Sequence, residues 1–144
     1  MVKIAVFDSG LGSLSIIKAI QKICKSEIIY FADQKNFPYG KKSKKQLEAI
    51  IKQTIKLLEE NFSPDIIVMA STTPSLMVNT NRKVIGVNPP IRKAMTLSKT
   101  KNIAILATQS AIKSKSLSSY IKKFNFSKDK KIYKVNSSIL VELV

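Results

Sequence analysis

The chain has 144 residues, 44% of them apolar, and its 25 Lys and Arg against 9 Asp and Glu give a formal net charge of +16. That length holds one ordinary domain or about one and a half small ones, and the apolar share is enough for a packed core, which excludes a disordered tail. No apolar run reaches the roughly 18 residues of a membrane span and too little chain precedes Asp8 for a secretory signal, while the one cysteine, Cys24, permits no internal disulfide; the reading is a soluble, cytoplasmic chain without a membrane partner.

The first apolar run, Lys3–Phe7, predicts a buried strand. It ends in Asp8-Ser9-Gly10-Leu11-Gly12, where two glycines turn the backbone into a helix. Leu14, Ile16, Ile17, Ala19, Ile20 and Ile23 have helical spacing, and Cys24 is placed at the end of that apolar face, as a core residue. Ile28–Phe31 predicts a second strand, followed by the loop Asn36-Phe37-Pro38-Tyr39-Gly40. Ser43 with Gln46 fits a capping box, and apolar positions from Leu47 to Leu58 carry that helix to about Asn61. Strands follow at Ile66–Ala70, Val84–Val87 and Ile103–Leu106. Pro89 and Pro90 open a helix that runs to about Leu97. A single helix is predicted from Thr108 to about Phe124. Strands alternating with helices predict an α/β fold, a mainly parallel sheet flanked by helices. The polar stretch Ser98–Asn102 suggests a boundary, giving units 1–98 and 99–144.

In an open parallel sheet the loops after the strands share one edge, where ligands bind. Here four of them converge: Asp8-Ser9-Gly10, Asn36 to Gly40, Ser71-Thr72-Thr73, and Thr108-Gln109-Ser110. Hydroxyls and helix amides suit a carboxylate and Asp8 suits an ammonium, so the set could hold a small zwitterion. Taken one loop at a time, hydroxyls after strands more simply cap the helices that follow. A dinucleotide reading competes, since Gly10-Leu11-Gly12-Ser13-Leu14-Ser15 approaches G-x-G-x-x-G with Asp33 about 20 residues on. It is disfavoured because Ser15 replaces the third glycine and the Asp8 charge would oppose a pyrophosphate. The net charge invites a nucleic-acid reading, yet only Arg82 and Arg92 among the basic residues carry the bidentate fork that reads phosphate and guanine. Solvated lysine is the default, and no specific nucleic-acid partner is expected.

Val6-Phe7-Asp8-Ser9-Gly10-Leu11-Gly12, Tyr30-Phe31-Ala32-Asp33, Phe37-Pro38-Tyr39-Gly40 with Ser43, Val84-Ile85-Gly86-Val87 with Pro90, and Leu106-Ala107-Thr108 with Ile112-Lys113-Ser114 carry a resemblance in order. The chain resembles the N-terminal part of the glutamate racemases, in the cofactor-independent aspartate/glutamate racemase family. The resemblance implies two-base racemisation with no pyridoxal phosphate and no metal: two cysteines face opposite sides of the substrate α-carbon. A thiol suits that work because its pKa, about 8.5 unperturbed, can be tuned toward neutrality. The resemblance places Asp8, Ser9, Pro38, Tyr39, Gly40, Thr72 and Thr73 around the substrate, and Ser71 with Asp8 at the catalytic positions. It implies glutamate, with aspartate second, as the ligand, and D-glutamate supplied to peptidoglycan and hence to cell-wall biogenesis and cell shape.

The chain departs from this pattern. The family's first catalytic cysteine sits in a Cys-Asn-Thr run, which here reads Ser71-Thr72-Thr73. A serine without a nearby base accepts protons poorly, and the chain has no histidine. The second cysteine belongs to a distal half that this sequence does not include, and Ser137 replaces another usual cysteine. The expectation is a glutamate racemase homologue, truncated or degenerate and catalytically impaired. The alternatives are a non-catalytic binder of a small acidic amino acid or of a partner protein and, third, a basic nucleic-acid-binding protein. Val135, Ile139, Leu140, Val141, Leu143 and Val144 are expected to lack partners on a monomer, which predicts self-association and a tail after about Lys130 that is mobile or paired between chains.

Overall fold

The structure, a computed structural model, describes residues 1–143; Val144 lies outside them. Four strands, β1 (Val2–Asp8), β2 (Ser26–Ala32), β3 (Ile66–Met69) and β4 (Val84–Gly86), form one sheet in the order β2-β1-β3-β4, and every neighbouring pair is parallel. A second, two-stranded parallel sheet joins β5 (Asn102–Ala107) to β6 (Lys131–Asn136). This is the mainly parallel α/β fold the alternation predicts.

The central strands make the core. Ala5 and Phe7 on one face of β1 pack with Ile67, Met69, Tyr39 and the buried face of α2 (Lys44–Phe62), which supplies Leu47, Ile51 and Leu58. Ile4 and Val6 on the other face pack with Val68, Ala70 and α1 (Ser13–Ile23). Burying each such side chain contributes about 1.5–3 kcal/mol relative to leaving it in water. The α2 capping box is present: Gln46 N–H donates to Ser43 Oγ at 3.3 Å, and Ser43 N–H donates to Gln46 Oε1 at 2.8 Å.

Five expectations need correction. Cys24 is exposed, because only Ile16, Ile17 and Ile20 of its helix reach the sheet; Ile23 beside it is 84% exposed. Burial on both faces holds for β1 and β3 alone, since β2 is an edge strand and β5 alternates. A short helix, α3 (Thr72–Met77), follows β3 where a loop was expected. Pro74 sits in its first turn, where a missing N–H costs nothing. After α4 (Ile91–Leu97), the single helix expected over 108–124 is two, α5 (Gln109–Lys113) and α6 (Lys115–Lys122). Ser114 divides them: in extended backbone, it donates to the Ala111 carbonyl at 2.7 Å and accepts the Leu117 N–H at 3.1 Å. Finally, Lys131–Asn136 pairs within the chain, against β5, where the expectation is a tail mobile or paired between chains. α7 (Ser138–Glu142) comes after it, and Val135, Ile139, Leu140 and Leu143 are exposed.

Candidate functional site

The loops after β1, β2, β3 and β5 are joined by hydrogen bonds. β1 ends with Asp8, 8% exposed, whose Oδ1 accepts the Ser9 N–H at 2.7 Å. The Ser71 hydroxyl and the Gly10 N–H also support this carboxylate, but burial outweighs them and raises the Asp8 pKa above its ordinary value. Ser71 precedes α3 without capping it, and its hydroxyl sits near enough to Asp8 to favour the charged carboxylate. Its carbonyl is held by the Ser75 hydroxyl at 2.6 Å and the Ser75 N–H at 3.2 Å, which fixes the approach of the segment to β1. Capping therefore accounts for Thr108, which accepts the Ala111 N–H at 3.4 Å, and not for Ser71.

Ser9 Oγ accepts the Tyr39 N–H at 3.2 Å. The Tyr39 ring is buried, and its hydroxyl donates to Asp33 Oδ2 at 2.8 Å; burial and the adjacent Asp33 push the phenol far above its ordinary pKa. A second chain of contacts joins the β5 side: the Thr73 and Thr108 hydroxyls lie 3.0 Å apart, and the Ser110 hydroxyl donates to the Gly40 carbonyl at 2.7 Å.

A cleft of about 540 Å³ opens beside these loops, walled by Ser9, Gly10, Gly12, Gln34, Phe37, Leu140 and Val141 among others. Of the residues expected around a substrate, Ser9 lines it. Asp8, which accepts the Ser9 N–H, is not on the cleft wall, and Pro38 and Gly40 are half-buried in the loop that bears Tyr39. Thr73 is buried against Thr108, and Thr72 faces a separate groove with Pro89, Pro90 and Ile91. The walls from α7 and the buried carboxylate of Asp33 were not marked as site residues in the sequence. Asp33 carried signals of another kind, as the acid of the disfavoured dinucleotide reading and as the end of the Tyr30-Phe31-Ala32-Asp33 run of the resemblance. No group of His, Cys, Asp and Glu among the described residues could hold a metal ion, and no helix among them is long and apolar enough to cross a membrane.

Close approach fixes the join between the two sheets. A Cβ on Gly40 would lie 2.4 Å from Thr108 Cγ2 and 2.9 Å from its Cβ. Gly40→Ala is expected to destabilise the chain by about 1–3 kcal/mol through overpacking. Adding Thr108→Ser, which removes the nearer carbon, should recover part of that loss. Chemical denaturation of the two variants checks this; additive losses would sink the explanation.

Comparison with known proteins then gives a family. No family model matches the chain. It is 36% identical over 118 residues to the glutamate racemase of Sulfurovum sp. (strain NBC37-1), a match over 76% of this chain and 44% of that protein. It is 41% identical over 123 residues to the glutamate racemase of Aliarcobacter butzleri (strain RM4018), 78% of this chain and 46% of that protein. The structure superposes over 99% of its length on 55% of the glutamate racemase from Francisella tularensis subsp. tularensis SCHU S4 solved with D-glutamate, at 29% identity and a TM-score of 0.78. It covers the same share of the Escherichia coli glutamate racemase solved with L-glutamate and the activator UDP-MurNAc-ala, at 27% identity and a TM-score of 0.82. The chain spans about half the length of the curated relatives it matches.

Proposed function

The chain is a glutamate racemase homologue, and from that premise we propose that it binds glutamate, or another small acidic amino acid, at the carboxyl edge of the β1–β3 sheet without racemising it. The observation that carries this reading is the Asp8–Ser71 pair. A buried carboxylate directly precedes Ser9 of the cleft wall, and near it position 71 carries a hydroxyl where the family resemblance places a thiol. Relatives solved with D- and L-glutamate support the ligand class.

Asp8 offers the charge for an α-ammonium, and the hydroxyls of Ser9 and Thr73 and the backbone of the 36–40 loop offer donors for carboxylates. Ser71 has no histidine to activate it, because the chain contains none. Cys24 does not replace the thiol: it is exposed at the far end of α1, whose 11 residues span about 16 Å at about 1.5 Å each. The two sheets support a division into a racemase-like unit, residues 1–98, and a second unit, residues 99–144. A cytoplasmic location is part of the same reading. A partner-binding role is the second reading, favoured by the exposed Ile139, Leu140 and Leu143.

Isothermal titration with L- and D-glutamate tests the proposal. The expected result is saturable heat from at least one enantiomer, competed by aspartate. No heat and no change in melting temperature at millimolar glutamate would overturn it.

A further inference from the structure

We propose that Asp33 is a positioning residue for the cleft: acting through Tyr39, it holds Ser9 as a hydroxyl donor to a carboxylate of the bound amino acid. The inference rests on the glutamate-binding reading above and adds a residue that touches no ligand.

Asp33 directly follows β2 and is 7% exposed. Its carboxylate is fully engaged. Asn36 Nδ2 donates to both oxygens at 2.9 Å, and the Tyr39 hydroxyl donates to Oδ2 at 2.8 Å. Its own N–H donates to the Asp8 carbonyl at 2.8 Å, which ties the end of β2 to the end of β1. Two residues of one loop, Asn36 and Tyr39, are therefore clamped to one carboxylate, and the clamp sets where the Tyr39 backbone sits.

That backbone decides what Ser9 can do. The Tyr39 N–H donates to Ser9 Oγ at 3.2 Å, so the hydroxyl oxygen already serves as an acceptor. Its proton remains to be donated: among the described residues the Ser9 hydroxyl donates no hydrogen bond. Ser9 lines the cleft, and a hydroxyl with a committed oxygen and a free proton prefers an anion there to a cation. Ser9 is thus set for a carboxylate while Asp8, which precedes it, is set for an ammonium, which gives the two charges of an amino acid separate places. The same geometry removes the Tyr39 phenol from ligand contact, since it is buried on Asp33.

The test combines amide hydrogen exchange with glutamate titration on the full chain. In the native chain the Tyr39 amide is expected to be protected. Asp33→Ala should lower that protection at least tenfold while leaving the amides of β1 and β3 unchanged, and should weaken glutamate binding about tenfold. Asp33→Asn, which keeps an acceptor for the Tyr39 hydroxyl, should restore part of both; it also serves if Asp33→Ala does not fold. In a Ser9→Ala background the Asp33 substitutions should add nothing to the loss of affinity. Unchanged Tyr39 protection in both Asp33 variants overturns the relay, and so does reduced protection with unchanged affinity. A native chain that binds no glutamate strikes the ligand reading, and with it Ser9's role, while the exchange measurement still decides whether Asp33 positions the loop.

Discussion

Incubated with L- or D-glutamate in deuterated water, the chain is expected to leave the α-proton in place, and Ser71→Cys is expected to introduce exchange from one enantiomer at least tenfold above that background. The reason is the pKa of the group beside the α-carbon. A thiol ionises at about 8.5, so a useful fraction is thiolate near neutrality, whereas a serine hydroxyl needs an adjacent base. Asp8 is the carboxylate near the Ser71 hydroxyl, and a carboxylate is too weak a base to activate it. With a thiol at position 71 that carboxylate becomes an acceptor for the thiol proton. Exchange should stay one-sided, because the second face of the substrate meets no thiol: Cys24 is exposed at the end of α1. Nuclear magnetic resonance of the α-proton measures it. Exchange by the native chain, or full inversion by Ser71→Cys alone, would refute the assignment of Ser71.

Asp8→Asn should make the chain more stable and cost it its ligand. Burial raises the Asp8 pKa above 3.8, its ordinary value, so the folded state binds this proton more readily than the unfolded state does. Stability then falls as pH rises from 3.8 through the raised folded value, and remains lower above it. Asparagine fits the same space, still accepts the Ser9 N–H, and carries no charge to desolvate. At pH 7 the variant should gain about 1 kcal/mol, or about 3 °C in melting temperature. The gain should vanish below pH 3.8, where Asp8 is protonated in both states. Glutamate at a hundredfold excess over its dissociation constant should stabilise the native chain by about 2.7 kcal/mol, and the asparagine variant by far less. A variant that is less stable at pH 7, or that keeps the full glutamate shift, would remove Asp8 from the site. Stability sacrificed at a binding residue is what a charge held ready for a ligand should show.

The strands, the α2 capping box and the edge on which four loops meet were legible because each is local. An apolar run of five residues, a serine three before a glutamine and a glycine-rich turn act through neighbours in sequence. The glutamate racemase resemblance was legible for the same reason, as short runs in order. The exposure of Cys24 was not, because it depends on how far along α1 the sheet extends. The break at Ser114 turned on whether one hydroxyl served the turn before it or the helix after it. The largest gap lay in the hydroxyls and carboxylates. Their residue types suggested caps at every strand end, and Thr108 is one; Ser71 instead lies near Asp8 without capping, and Tyr39 bonds Asp33. The sequence by itself determined which polar groups gather at the carboxyl edge, since strand order and periodicity place them there. Only the tertiary structure decided which group each one bonds, because a hydroxyl has several partners within reach and packing selects among them.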